Sequence, residues 1–316
     1  MKLGFLTVAL GPMPLEAKAE WAAAEGFQAL ELACWPRRND RDYSASDLDV
    51  ATLTQAEADR VRARLDGLGL AVSSLAYYDN NLDRDPAKRA AVNAHVRKTI
   101  DAAAMLGVER VGTFVGRNID RSVEDNFGEF EEVFGGLVAY AGARGVRLMI
   151  ENCPMTGWQK PGEPGTISFS PELWAEMFRR VPDANFGLNL DPSHLVYQRI
   201  DVLPLIPLFR DRLFHVHAKD MMVFEDRFAW YGIFNRQLGM KEWPLLESGF
   251  ERARMPGLGL VDWEAFLMRL HDHGFDGFVS IEHEDPDYAG SEARIKEGLS
   301  LGRAHLLEVG GRFFGK

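Results

Sequence analysis

Residues 2–35, "KLGFLTVALGPMPLEAKAEWAAAEGFQALELACW", decide the fold. They open with an apolar run, turn at Gly11-Pro12, and pass into a helical pattern that begins near Pro14 and stops at Gly26. Proline at the start and glycine past the end is the usual helix asymmetry. A second apolar run, residues 27–35, follows at once. Strand, helix, strand in so short a span predicts a parallel pair with a crossover helix. The opening run also has the outline of a signal peptide. However, it is short, and Glu16, Lys18 and Glu20 crowd the would-be cleavage site, so a buried first strand is the expected reading.

The rhythm then repeats. Further strands are expected at 70–78 ("LAVSSLAYY"), 108–116 ("VERVGTFVG"), 146–153 ("VRLMIENC"), 185–191 ("NFGLNLD"), 213–220 ("LFHVHAKD") and 277–284 ("GFVSIEHE"), with the first strand at 2–10. Helical patterns lie between them at 54–69, 85–107, 122–145 and 170–181. Eight strands alternating with helices predict one closed (β/α)8 TIM barrel over residues 1–316. The alternative, a doubly wound open sheet, lacks its glycine fingerprint, because no G-x-G-x-x-G follows the first strand. The step from the seventh to the eighth strand is about twice the roughly 30 residues of an average unit. The excess, residues 221–260, is rich in aromatics and arginine and is expected as an inserted loop region over the C-terminal face.

Composition bounds the function. The chain is 46% hydrophobic and 26% charged, with a net charge of −11. That acidity argues against nucleic acid as partner, since such binding rests on a basic footprint. No run reaches the ~18 apolar residues of a membrane helix. Two cysteines, Cys34 and Cys153, make no disulfide scaffold, and a reducing cytoplasm is the expected setting. A small-molecule substrate is therefore expected, and a homo-oligomer stays open.

In barrels of this kind the chemistry sits at the C-terminal ends of the strands. The fifth strand ends in Glu151 and the sixth in Asp191, followed by Ser193 and His194. The seventh carries His215 and His217, and the eighth ends in Glu282. Taken singly, each reads as a surface residue, a cap or a satisfied core group. Together, four inward acids and imidazoles on adjacent strands would repel or desolvate one another without a cation. An oxygen-rich donor set suits Mn2+, Mg2+ or Co2+, with Zn2+ as a further candidate, better than a structural zinc.

The elements "MIEN" (149–152), "LDPSH" (190–194), "HVHAKD" (215–220), "PGLGLVDWEAF" (256–266) and "GFDGFVSIEHE" (274–284) resemble the sugar isomerase/epimerase superfamily with the xylose-isomerase-like barrel. That group includes ketohexose 3-epimerases, inosose dehydratases and, more distantly, endonuclease IV. The resemblance spans nearly the whole chain and specifies the superfamily rather than one reaction. It implies that Glu151, Asp191, His217 and Glu282 bind one divalent metal ion, with Mn2+ the first choice, and that His194 contacts substrate beside it. It also implies that Glu151 and Glu282 flank the substrate carbon whose proton is exchanged. On that basis His217 is the ligand, and His215, one layer deeper, packs beneath it.

The expected activity is that of a divalent-metal-dependent isomerase or epimerase of a sugar or related keto-polyol. Proton abstraction next to a carbonyl would lead to a metal-stabilised enediolate. Loss of a β-hydroxyl from the same enediolate would make the enzyme a lyase. A partner-dependent subunit and an endonuclease IV-like nuclease are the remaining readings, and against the nuclease this chain lacks the early-strand histidines that its three-metal cluster requires. Lys219 is a candidate acid or electrostatic partner, its alternative being a rim salt bridge with Asp220. Arg236 and Trp35 are candidate substrate contacts, as are Glu31, Tyr77, Tyr78 and Asn80.

Overall fold

The computed structural model describes residues 1–36, 46–234 and 249–315. Its strands, in chain order, are β1 (Lys2–Leu6), β2 (Ala29–Ala33), β3 (Ala71–Ala76), β4 (Arg110–Thr113), β5 (Arg147–Glu151), β6 (Phe186–Leu190), β7 (Leu213–Ala218), β8 (Asp220–Val223), β9 (Glu251–Arg254) and β10 (Phe278–Ile281). Eight of them close into a parallel barrel in the order β1-β10-β7-β6-β5-β4-β3-β2. The helices α1 (Leu15–Glu25), α2 (Gln55–Gly67), α3 (Pro86–Leu106), α4 (Val123–Gly142), α5 (Pro171–Arg180), α6 (Ser193–Val196), α7 (Leu205–Phe209), α8 (Glu225–Tyr231), α9 (Trp263–Asp272) and α10 (Glu292–Gly310) lie between and after the strands. The expected (β/α)8 TIM barrel is the observed fold. Among the described residues no helix is long and apolar enough to cross a membrane.

Local sequence explains the helix limits. Thr54 and Glu57 form a reciprocal capping box at the start of α2. Asp85 caps α3 by accepting from Ala87 N at 2.8 Å, Pro86 fills the first turn, and Gly107 at φ 69° ends the helix. β1 is shorter than the apolar run 2–10 suggests. At Thr7 the side chain replaces the ladder: its hydroxyl donates to Glu31 O at 3.0 Å and accepts from Ala33 N at 2.9 Å, and residues 7–10 coil into a 3-10 turn.

Within 221–260 the described residues form a two-stranded antiparallel unit, β8 against β9, preceding and following α8. Asp220 fastens the chain where it returns from this excursion. One carboxylate oxygen accepts from Met221 N and Val261 N, at 2.8 and 3.0 Å. The other accepts from Gly257 N and the Trp263 indole, both at 3.0 Å. Gly259 lies against this carboxylate where a Cβ would collide with it. Asp220 is fully buried, so Asp220→Ala would leave several donors unpaired. The expected loss is about 3 kcal/mol, measured by urea unfolding, while Asp220→Asn retains roughly half of the acceptors and loses less.

Apolar side chains of helices and strands fill the layer outside the barrel, as where Phe130, Phe134 and Phe186 pack with ring centroids 4.9 to 6.1 Å apart. The barrel interior is different. Ser73, Ser280, His215, Asn189, Tyr78, Glu31 and His217 are buried there as a polar chain rather than the branched apolar layers usual for the fold.

Candidate metal-binding site

Side chains at the ends of β5 and β7, and just past β6 and β10, supply a group of donors because these four strands end at the same rim. Glu151, Asp191, His217 and Glu282 each place one ligand atom so that all four lie within 4.8 Å of one another. His217 Nδ1 is 3.5 Å from Glu151 Oε1 and 3.4 Å from Glu282 Oε2. His194, on α6 directly after Asp191, places Nε2 3.5 Å from Glu151 Oε1 and 3.4 Å from Asp191 Oδ2. Glu151 Oε1, Asp191 Oδ2, His194 Nε2 and His217 Nδ1 are all buried and make no hydrogen bond. Buried polar atoms are seldom left that way. Three carboxylates and one imidazole converging on a common point fit a divalent cation. Glu151, Asp191, His217 and Glu282 are the residues that could hold it.

The other ring nitrogen of His217 explains which atom is offered. Nε2 donates to Glu31 Oε2 at 2.9 Å, so Nδ1 is left facing the cluster. A carboxylate behind a ligand imidazole fixes tautomer and orientation. Glu31 is held in turn by the Tyr78 hydroxyl, which donates to Oε1 at 2.9 Å and accepts from Asn189 Nδ2 at 2.8 Å. Asn189 Oδ1 accepts from His215 Nδ1 at 2.9 Å, and His215 Nε2 accepts from the Ser280 hydroxyl at 3.0 Å. The hydrogen-bond directions are mutually consistent along the whole chain. Gly112 makes room for it: a Cβ there would collide with the Tyr78 hydroxyl.

These contacts place several residues singled out in the sequence. Glu31 is a support behind His217, where the sequence suggested a substrate contact, because its two oxygens are taken by His217 and Tyr78. The Tyr78 hydroxyl is likewise committed to Glu31, while Tyr78 also lines the cleft beside Trp35. His215 makes no hydrogen bond to His217 and belongs to the deeper end of the polar chain. Glu31, His215 and His217 also sit close enough to suggest a second cation group, but Glu31 is committed to His217 and Tyr78, and both nitrogens of His215 to Asn189 and Ser280. Lys219 forms no pair with Asp220. Its ammonium lies 2.6 Å from Glu282 Oε2, 3.0 Å from Glu284 Oε2 and 3.2 Å from Asp191 Oδ2. Asp220 is unavailable because its carboxylate is committed to backbone donors and the Trp263 indole. Trp35 is buried and lines the cleft above the cluster with Leu6, Phe114 and Met155. Cys153 shares this wall. Arg236 lies outside the described residues.

Electrostatics follow from burial and close packing. Burial pushes His215 down to about 3, so it is neutral, as its two hydrogen bonds require. Burial pushes Glu31 up, but His217 and His215 outweigh it and hold the carboxyl at about 2. Glu151 is likewise held at about 2 against its burial, by His194 and His217. Burial raises Asp191 above its ordinary value, whereas Lys219 overcomes burial at Glu282 and lowers it. His217 is raised well above its ordinary value, since Glu31 and Glu282 outweigh the burial that opposes its charge.

A raised imidazole keeps its proton until pH exceeds the raised value. A cation bound at Nδ1 must displace that proton. Metal affinity is therefore expected to rise with pH through and above the ordinary histidine range, with about one proton released per metal. Titration calorimetry in buffers of different ionisation enthalpy reads this directly, and a heat of binding that does not depend on the buffer would contradict it.

The closed barrel and its rim cluster define a class of proteins, and comparison with known chains names the family. Residues 19–305 match the family model described as xylose isomerase-like TIM barrel, and the chain belongs to that family. The uncharacterized protein YfiH of Bacillus subtilis (strain 168) is 25% identical over 318 aligned positions, covering 90% of this chain and 93% of that one. Among solved structures, the IolI protein with a bound zinc atom superposes with a TM-score of 0.73 at 19% identity, over 100% of both chains. D-psicose 3-epimerase with D-tagatose, from Clostridium cellulolyticum H10, gives 0.70 at 15% identity, over 98% of this chain and 99% of that one.

Proposed function

We propose that this protein is a divalent-metal-dependent enzyme that moves a proton next to the carbonyl of an unphosphorylated keto-sugar or keto-polyol, as an epimerase or isomerase. The observation that carries this reading is the pairing of two glutamates, buried Glu151 and partly buried Glu282, about one imidazole. They lie on strands separated in the barrel by β6 and β7 and approach His217 Nδ1 from two sides. A cation held by Glu151, Asp191, His217 and Glu282 would supply Lewis-acid stabilisation to the oxygens of the reacting carbons. The family, the zinc in IolI and the ketose with D-psicose 3-epimerase support the choice.

The chain's own groups divide the work. Glu151, held ionised, has the character of a base. Glu282 is held ionised by Lys219, whose ammonium donates to it at 2.6 Å, so this pair can supply the proton returned to the carbon that Glu151 deprotonates. Lys219 also places positive charge where an oxyanion would develop. His194 is positioned to orient a hydroxyl, and Trp35 to cover the apolar face of the substrate. Manganese is the first metal to reconstitute because the donor set is oxygen-rich.

A screen of keto-sugars, inososes and sugar phosphates in D2O with the Mn2+-loaded protein, followed by NMR, tests the reading. Deuterium is expected at a carbinol carbon of an unphosphorylated ketose or keto-polyol. Loss of water in place of exchange would convert the assignment to a lyase. No metal-dependent exchange or elimination on any of these classes would overturn it.

A further inference from the structure

At the opposite end of the barrel lies a second group of chemistry-bearing residues. Arg110 and Arg147 are the first residues of β4 and β5 and are direct register partners. Like charges on adjacent strand positions repel. Here each guanidinium is laid on an aromatic ring: Arg110 is 5.3 Å from the Phe278 centroid, and Arg147 is 5.2 Å from the Phe214 centroid. Arg110 is largely buried, with its side chain 16% exposed, and its Nε is used to donate to Phe214 O at 3.0 Å. Its nearest carboxylate is that of Glu109, at 4.0 Å.

Among the described residues, Arg147 has no carboxylate within ion-pairing distance. The two arginines, with Arg210 and His273, line a cavity of about 100 Å³ that also includes Asp276. Arg210 lies 3.5 Å from the exposed Asp211. A concentration of guanidinium groups around one hollow runs against the net charge of −11 of the chain. Guanidinium is also the group best matched to a phosphate oxygen pair.

We propose that this cavity binds a tetrahedral oxyanion of phosphate size, clamped by Arg147 and Arg110 and backed by Arg210 and His273. A water occupies roughly 30 Å³ of liquid, so the cavity has room for one such group. The anion relieves the repulsion between the paired arginines and so stabilises the barrel from the end away from the carboxylate–histidine cluster. The site is independent of the reaction proposed above, and its ligand is either free phosphate or the phosphate end of a small metabolite.

Calorimetric titration of the full chain with inorganic phosphate and with AMP, against NaCl at equal ionic strength, distinguishes these. Saturable phosphate binding and a raised unfolding midpoint are expected for the parent. Binding in Arg147→Gln is expected to be about tenfold weaker or worse. That variant breaks no ion pair or side-chain hydrogen bond among the described residues, and so should fold. Arg147→Lys keeps the charge without the fork and should fall between. Tighter binding of AMP, with the same dependence on Arg147, identifies the phosphate of a larger molecule. Phosphate heats no greater than chloride, or phosphate affinity unchanged in Arg147→Gln, would overturn the proposal.

Discussion

Glu151→Gln and Glu282→Gln are each expected to slow proton exchange into substrate by about 10²- to 10⁴-fold, the usual contribution of a positioned acid or base. Both residues also belong to the donor group, so metal content must be followed in the same samples. The decisive comparison is exchange at restored metal occupancy. Glutamine keeps a carbonyl oxygen that can face a cation but cannot carry the proton. The two variants should differ in character. Glu151 stands beside His194 and His217, and its loss leaves two imidazoles near a neutral amide. Glu282 is bound to Lys219, and its loss leaves that ammonium with Glu284 and Asp191. The pH profile of Glu282→Gln should therefore shift with Lys219, while that of Glu151→Gln should shift with the histidines. Exchange as fast as the parent in either variant at full occupancy would refute the assigned role.

His217→Ala is expected to abolish divalent-metal binding, and His215→Ala to weaken it far less. The structure adds a sharper test between them, at Glu31. Glu31→Gln puts an amide NH2 against either the His217 N–H or the Tyr78 hydroxyl, both of which donate to the native carboxylate. One donor then loses its acceptor, at a cost of about 1–3 kcal/mol to the fold. The imidazole also loses the charge that fixes Nδ1 toward the cluster, and metal affinity is expected to drop about 10- to 100-fold. Calorimetry for the metal and urea unfolding for stability measure the two effects separately. Unchanged metal affinity in Glu31→Gln would show that the charge of Glu31 is not what sets the affinity.

Much of this was legible along the chain. The barrel can be read because strand and helix signals are local: apolar alternation, Pro and Gly punctuation, and caps such as Thr54 and Asp85 act within a few residues. The cluster at the rim can be read because an ionisable side chain ending an apolar strand is costly without a partner, and Glu151, Asp191, His217 and Glu282 share that feature. Glu31 carried the same signal, since it is a single carboxylate in the buried strand "ALELA". Sequence placed it toward substrate because a strand's alternation gives the face of a side chain but not its depth.

What only the tertiary structure decided is which of these groups meet. Glu31 and His217 are 186 residues apart, and Tyr78 and Asn189 are 111 apart. Their contacts depend on barrel closure and on the register shifts between β2 and β3 and between β6 and β7. The same holds for Lys219 and Asp220. Adjacent in sequence, they face opposite sides of the chain, one into the carboxylates of the rim and the other into the backbone of residues 257–263. Arg110 and Arg147 likewise become neighbours only through the pairing of β4 with β5. Sequence alone determines the alternation of elements and the presence of charge in apolar strands, because both are local properties. The partners of those charges are set by interstrand register and by closure of the barrel, which bring distant segments to hydrogen-bonding distance.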